Sequence, residues 1–139
     1  MGMGVRISTS LLQQLRRAAE AHPEQEVCGL LLGRDDRVEA AQAAANVSAA
    51  PRSAFEIDPA TLLQAHRRAR MSGEHRILGY YHSHPSGDAD PSPRDAAQAA
   101  PDGMLWLILA AGEARLWRSV RGGAVHDRFN PVPISAEQG

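Results

Sequence analysis

The sequence predicts one α/β domain, a sandwich with a mixed β-sheet flanked by helices. Three observations predict it. The chain has 139 residues, close to the common size of a single domain. It is 43% hydrophobic and 22% charged, the composition of an ordinary globular protein. Short apolar runs alternate along it with stretches of helical period, punctuated by proline and glycine. A domain of this size buries roughly 68% of the surface its unfolded chain exposes, so its core needs no disulfide.

The elements follow in order. From Ser8 or Ser10 to about His22, Leu11, Leu12, Leu15, Ala18 and Ala19 make one apolar helix face. Ser10 with Gln13 offers a capping box, and Pro23 stops the helix. Val27 to Leu32 is a short apolar run ending at Gly33, as in a buried strand. Arg34-Asp35-Asp36-Arg37 reads as a hairpin turn, so the Ala-rich Val38 to Val47 returns as a strand. After a loop, Phe55-Glu56-Ile57 is extended. Asp58 at N-cap and Pro59 at the first helical position then open a helix that ends at Gly73. Ile77 to His84 is a strand, Pro85 to Pro91 a loop, and Ser92-Pro93 starts a third helix that ends by Pro101. Met104 to Ala110, Ala114 to Val120 and Ala124 to Phe129 read as strands joined by glycine-containing turns. Asn130 to Gly139, with two prolines, reads as a surface tail. The domain is expected to span residues 1–130, with 131–139 as the C-terminal tail. The expected order is α-β-β-α-β-α-β-β-β.

Composition narrows the function. The formal net charge is −1, which gives no basic footprint for nucleic acid. All 15 basic side chains are arginine, so the chain offers no lysine amine as an isopeptide acceptor. Cys28 is the one cysteine, which excludes an intrachain disulfide and a cysteine-rich structural zinc site. Met1 to Arg6 lacks the apolar core of a signal peptide, and no run approaches the roughly 18 apolar residues of a membrane span. The expectation is a soluble cytoplasmic protein that meets neither membrane nor nucleic acid.

The chemistry concentrates in His82-Ser83-His84, Ser92 and Asp95, spaced H-x-H-x7-S-x2-D. Residues two apart on a strand share a face, so His82 and His84 project together and Ser83 points away. Ser92 and Asp95 lie about one turn apart at a helix start and can both face the strand end. Zinc hydrolases commonly use three protein ligands and leave a fourth position open. His82, His84 and Asp95 supply three, and zinc lowers the pKa of water it binds to about 7. A general base is still wanted, and Glu26 fits if its strand lies beside Ile77–His84. Taken singly, these residues have plainer roles: paired strand histidines, a capping box at Ser92 and Asp95, a solvated acid at Glu26. Their joint spacing is what points to a metal.

With Glu26 set in Glu26-Val27-Cys28-Gly29-Leu30-Leu31-Leu32-Gly33 and His84 followed by Pro85, the chain resembles the JAMM (MPN+) zinc metalloprotease family. That pattern, E…H-[ST]-H-x7-S-x2-D, is matched at every position, and the compact prokaryotic branch is closest in form. The resemblance implies a cytidine-deaminase-like fold and one Zn2+ per chain on His82, His84 and Asp95. It implies Glu26 as general base and then acid, and Ser92 as support for the oxyanion. The implied reaction is hydrolysis of the amide after the C-terminal glycine of a ubiquitin-like or sulfur-carrier protein ending in Gly-Gly. The long zinc-binding insertion of the eukaryotic deubiquitinases has no counterpart here.

Two other readings stand beside this one. A catalytically silent MPN-type module would dock a ubiquitin-like partner without needing all five residues. A zinc hydrolase of a small amide or nucleobase would share the fold, but the deaminase Pro-Cys-x-x-Cys pair is absent. Cys28 reads as a small buried apolar residue. Asp88 and Asp90 read as solvated loop acids, and Trp106 and Trp117 as core. His22, His66, His75 and His126 have no metal spacing, and Arg67, Arg68 and Arg70 form a solvated helix face. Asn46 and Phe55-Glu56-Ile57 are expected to border the cleft, where an extended substrate tail would add to an open sheet edge.

Overall fold

The computed structural model describes residues 4–138 as a mixed eight-stranded sheet with three helices. In chain order the elements are β1 (Val5–Ser8), α1 (Thr9–Glu20), β2 (Cys28–Arg34), β3 (Arg37–Ala44), α2 (Pro59–Ser72) and β4 (Arg76–Ser83). There follow α3 (Pro93–Gln98), β5 (Leu105–Ala110), β6 (Glu113–Gly123), β7 (Asp127–Val132) and β8 (Ile134–Glu137). The strand order across the sheet is β7-β6-β5-β4-β2-β3-β1-β8. β4 runs parallel to β5 and antiparallel to β2, while β1 runs parallel to both β3 and β8.

Each face of the sheet carries its own core. On one face Leu105, Leu107, Leu109, Leu31, Val5 and Ile7 pack with Leu12 and Leu15 of α1. On the other, Trp106, Ile108, Ala110, Trp117 and Phe129 pack with Phe55, Ala99 and Ala89. All six residues of β5 are therefore buried, the pattern of a central strand covered on both sides. No helix among the described residues is long and apolar enough to cross a membrane.

The expected helices and the central strands are present, with ends shifted by one to three residues. Three expectations are corrected. The first helix is preceded by β1, which brings Ser8 in extended conformation to the helix start. Ser8, not Ser10, is then the N-cap, accepting from the Leu11 amide at 3.0 Å. The strand expected over Ala124–Phe129 begins later: the chain turns through Val125 and His126, and β7 then runs from Asp127 to Val132. The expected surface tail carries the end of β7 and all of β8, which pairs with β1 over Val5↔Ile134 to Ser8↔Glu137. The second helix ends as expected: Gly73 adopts φ 69°, the left-handed C-cap a residue without Cβ takes at low cost.

Candidate metal centre

Two neighbouring strands and one helix start build the site. β2 and β4 pair antiparallel with Cys28 opposite His82, so Glu26, two residues before Cys28, is carried to the end of the β4 strand. The long-range expectation therefore holds: the Glu26 segment runs beside His82 and His84. Ser83 faces the other way, and its hydroxyl accepts from the Val27 amide at 2.9 Å while its own amide donates to the Val27 carbonyl at 3.0 Å. That two-way clasp fixes the register next to Glu26.

The imidazoles of His82 and His84 turn to one point. Their Nε2 atoms are 3.1 Å apart. Asp95 reaches the same point, with Oδ1 3.2 Å from His82 Nε2 and Oδ2 3.0 Å from His84 Nε2. The helix start delivers Asp95 through a complete capping box. The Asp95 amide donates to Ser92 Oγ at 3.0 Å, and the Ser92 amide donates to Asp95 Oδ2 at 3.0 Å. His82 and Asp95 are buried.

This donor set fits a zinc ion. Ligand atoms about 2.0–2.1 Å from a tetrahedral zinc stand about 3.3 Å from one another, close to the spacings here. The orientation of His84 also suits a ligand: Nδ1 lies 2.7 Å from the Asp88 carbonyl and donates to it, which turns Nε2 toward the cluster, where it can ligate once it gives up its proton. His82 is oriented by a ring instead. Phe55 stacks on it with centroids 4.3 Å apart, and Trp106 meets it edge-on at 5.6 Å.

Electrostatics separate the carboxyls. Burial pulls Asp95 upward, but hydrogen bonds from His82, His84 and the Ser92 backbone outweigh it and hold Asp95 ionised far below the ordinary range. Burial pushes His82 down, so this imidazole is neutral, as a metal ligand must be. Glu26 is raised from 4.5 to about 7, chiefly by burial, with His84 drawing it down and Asp95 pushing it up. Its Oε1 is buried and has no hydrogen-bond partner among the described residues. A carboxyl poised near neutrality with a free oxygen is suited to moving a proton.

The other expectations sort themselves. Cys28 is buried with its thiol pushed up to about 11 by burial and the Glu26 charge, so it is no nucleophile. Trp106 and Trp117 are core, and the Trp117 indole donates to the Ala89 carbonyl. Arg67, Arg68 and Arg70 are exposed. The Asp90 side chain pairs with Arg115 at 2.7 Å, away from the cluster. Asp88 contributes through its carbonyl, a role that residue type does not signal.

Asn46 also does more than border the cleft. Its side-chain amide donates to the Glu26 carbonyl at 2.9 Å and the Ala54 carbonyl at 3.0 Å. Its oxygen accepts from the Ser48 and Glu56 amides, each at 3.1 Å. One side chain thus ties the Glu26 segment to the segment carrying Phe55. Asn46 and Ile57 pair in a single antiparallel bridge, so the edge expected at this cleft is one bridge, not a strand.

Comparison with known proteins finds relatives of the chain and of its fold. The family described as prokaryotic homologs of the JAB domain matches residues 8–121. A desampylase of Haloferax volcanii is 39% identical over 101 residues, which covers 71% of this chain and 72% of that one. A probable TtuB-protein conjugate cleaving protease of Thermus thermophilus is 36% identical over 121 residues, 81% of this chain and 80% of that one. Among solved structures, a protein of Desulfitobacterium hafniense superimposes with a TM-score of 0.81 at 25% identity, over 97% of this chain and 94% of that one. A JAB1/MPN domain protein from Archaeoglobus fulgidus shares the fold with a TM-score of 0.61 at 18% identity, over 96% of this chain and 100% of that one.

Proposed function

The chain belongs to the prokaryotic JAB family, a branch of the JAMM/MPN proteins, and from that premise we propose that it is a zinc metallopeptidase. Its reaction is hydrolysis of the amide after the C-terminal glycine of a ubiquitin-like or sulfur-carrier protein. One observation carries the reading: the buried His82–His84–Asp95 cluster faces a raised, unpartnered Glu26 carboxyl across the β2–β4 pair. The names of the relatives, desampylase and TtuB-conjugate cleaving protease, support an isopeptidase acting on conjugates of small ubiquitin-like proteins. The same reading takes the fold as cytidine-deaminase-like.

His82, His84 and Asp95 hold the ion. A zinc ion bound there supplies Lewis acidity, acidifying water and polarising the substrate carbonyl. Glu26 accepts a proton from the attacking water, whose hydroxyl adds to the carbonyl carbon. Ser92 has spent one acceptor lone pair on the Asp95 amide, so its O–H remains free to donate to the developing oxyanion. As the C–N bond breaks, Glu26 returns the proton to the leaving amine. A Gly-Gly tail suits the approach, because glycine lets backbone come close to buried groups.

Metal analysis of the purified protein tests the reading. About one zinc per chain is expected, lost in His82→Ala. Glu26→Gln keeps the metal and loses turnover on a TtuB conjugate. A natively purified protein without bound metal, or a Glu26→Gln variant with full turnover, overturns it.

A further inference from the structure

Arg52 lines the same recess as Glu26, Arg94 is tied to that recess through Ser53, and the reaction as described leaves both arginines unused. A recess of about 190 Å³ at the mouth of the site is lined by Glu26, Arg52, Ser53, His84, Gly87 and Ser92, among others. The Glu26 amide donates to the Pro51 carbonyl at 2.7 Å, which pins the turn bearing Arg52 to the Glu26 segment. Arg94 Nη1 donates at 3.0 Å to Oγ of Ser53, the residue after Arg52. Among the described residues, neither guanidinium has a carboxylate within ion-pairing distance.

Solvated surface arginine is the ordinary case, but the place of this pair sets it apart. The recess holds Glu26, the group that hands a proton to the leaving amine under the proposed function, so whatever follows the scissile bond passes by Arg52, with Arg94 held next to it through Ser53. The apolar groove lined by Phe55, Ile57, Leu62, Tyr80 and Trp106 is a separate hollow.

We propose that Arg52 and Arg94 read a carboxylate on the leaving side of the scissile amide, and so favour substrates that release an anionic residue. This rests on the function proposed above. Guanidinium groups match carboxylates in shape and charge. Two sources present that group one residue beyond the bond: the α-carboxylate of a single C-terminal residue, or an acidic side chain in a longer extension.

Three forms of one probe separate the outcomes: TtuB with its tail remade as Gly-Gly-Ala free acid, Gly-Gly-Ala amide and Gly-Gly-Asp amide. Cleavage by the zinc-loaded full chain is followed by intact mass. The free acid is expected to be cleaved about tenfold faster than its amide at low substrate, the effect of one charge-assisted hydrogen bond, through KM rather than kcat. Arg52→Gln with Arg94→Gln brings that ratio close to one, and the matching double lysine variant restores part of it. Faster cleavage of the Asp amide than of the Ala amide also supports the pair and assigns the carboxylate to a side chain. Equal rates on all three forms, or a preference that survives the double glutamine variant, overturn the proposal and leave the hydrolase standing. No cleavage of any form by the wild type overturns both.

Discussion

Glu26 is the residue whose environment matters most and whose role its own position signals least. Burial raises its carboxyl from 4.5 to about 7, so the folded chain binds a proton that the unfolded chain has released between those values. This group's contribution to stability is therefore best below about pH 4.5 and is lost as pH rises through 7. The full difference amounts to at most about 3 kcal/mol, and to under about 1 kcal/mol at pH 5. Metal-free Glu26→Gln is accordingly expected to unfold at higher denaturant than wild type at pH 8, and with little difference at pH 5. An equal midpoint at pH 8 would show that the carboxyl is not desolvated. Ser92 separates two roles in one side chain. Ser92→Ala removes the Oγ that accepts from Asp95, costing about 1 kcal/mol of stability. It leaves the Ser92 backbone bond to Asp95 Oδ2, so the Asp95 carboxylate keeps its orientation. If the hydroxyl also serves the oxyanion, kcat falls by about 10²–10³ with zinc content unchanged. A loss of thermal stability with kcat intact would assign Ser92 to the cap alone. Four of the candidate residues, His82, His84, Ser92 and Asp95, stand out because their spacing is local and their chemistry specific, whereas Glu26 lies 56 residues before His82 and is singled out by the residues around it. Asn46, Phe55 and Asp88 were not legible as site builders. Asn46 acts by binding backbone 20 residues away, Phe55 by stacking, and Asp88 by a carbonyl that every residue type possesses.

At the scale of elements, the site depends on how closely β4 lies against its neighbours. Gly79 faces Leu105 in the parallel β4–β5 ladder, and a Cβ there would meet the Leu105 backbone carbonyl and amide. Backbone cannot swing aside as a flexible side chain does. Gly79→Ala is expected to cost about 1–3 kcal/mol, read by chemical denaturation. Because β4 also carries His82, the same variant should bind zinc less tightly. A neutral substitution would mean that the two strands are free to separate at this point. Central elements were legible for a related reason: the runs at 28–34, 76–83 and 105–110 are apolar enough to be buried on both faces. β1 and β8 escaped because each has four residues. Val5 and Ile7 alternate with Arg6 and Ser8, but four residues are too few to separate a strand from the start of the helix that follows. β8 follows Pro131 and Pro133, which argue for irregular chain, and its strand character comes from β1, more than 120 residues earlier.

For the whole molecule, the sheet order separates what holds the fold from what performs the chemistry. The cluster lies on β4 and α3 beside β2, whereas β8 lies beyond both β3 and β1 at the far edge. Residues 134–138 are nonetheless tied in. β8 pairs with β1 over four residues, the Thr9 hydroxyl donates to the Glu137 carbonyl at 2.9 Å, and Arg37 pairs with the Glu137 carboxylate at 2.9 Å. Ending the chain after Pro133 removes these bonds and leaves the β1 backbone as an unpaired edge. A net backbone hydrogen bond contributes about 0.5–1.5 kcal/mol, offset in part by the freedom the removed residues no longer lose. A net cost of about 2 kcal/mol is expected, which lowers Tm by about 5–10 °C in a domain of this size. Zinc content and kcat at 25 °C should not change, since β3 and β2 stand between the cut and His82. An unchanged Tm would make residues 134–139 a dispensable tail. Lost activity in a protein that is still folded would mean that the far edge supports the site. The expected split, stability without catalysis, would make β8 part of the fold and confine the chemistry to the β2–β4 half of the sheet.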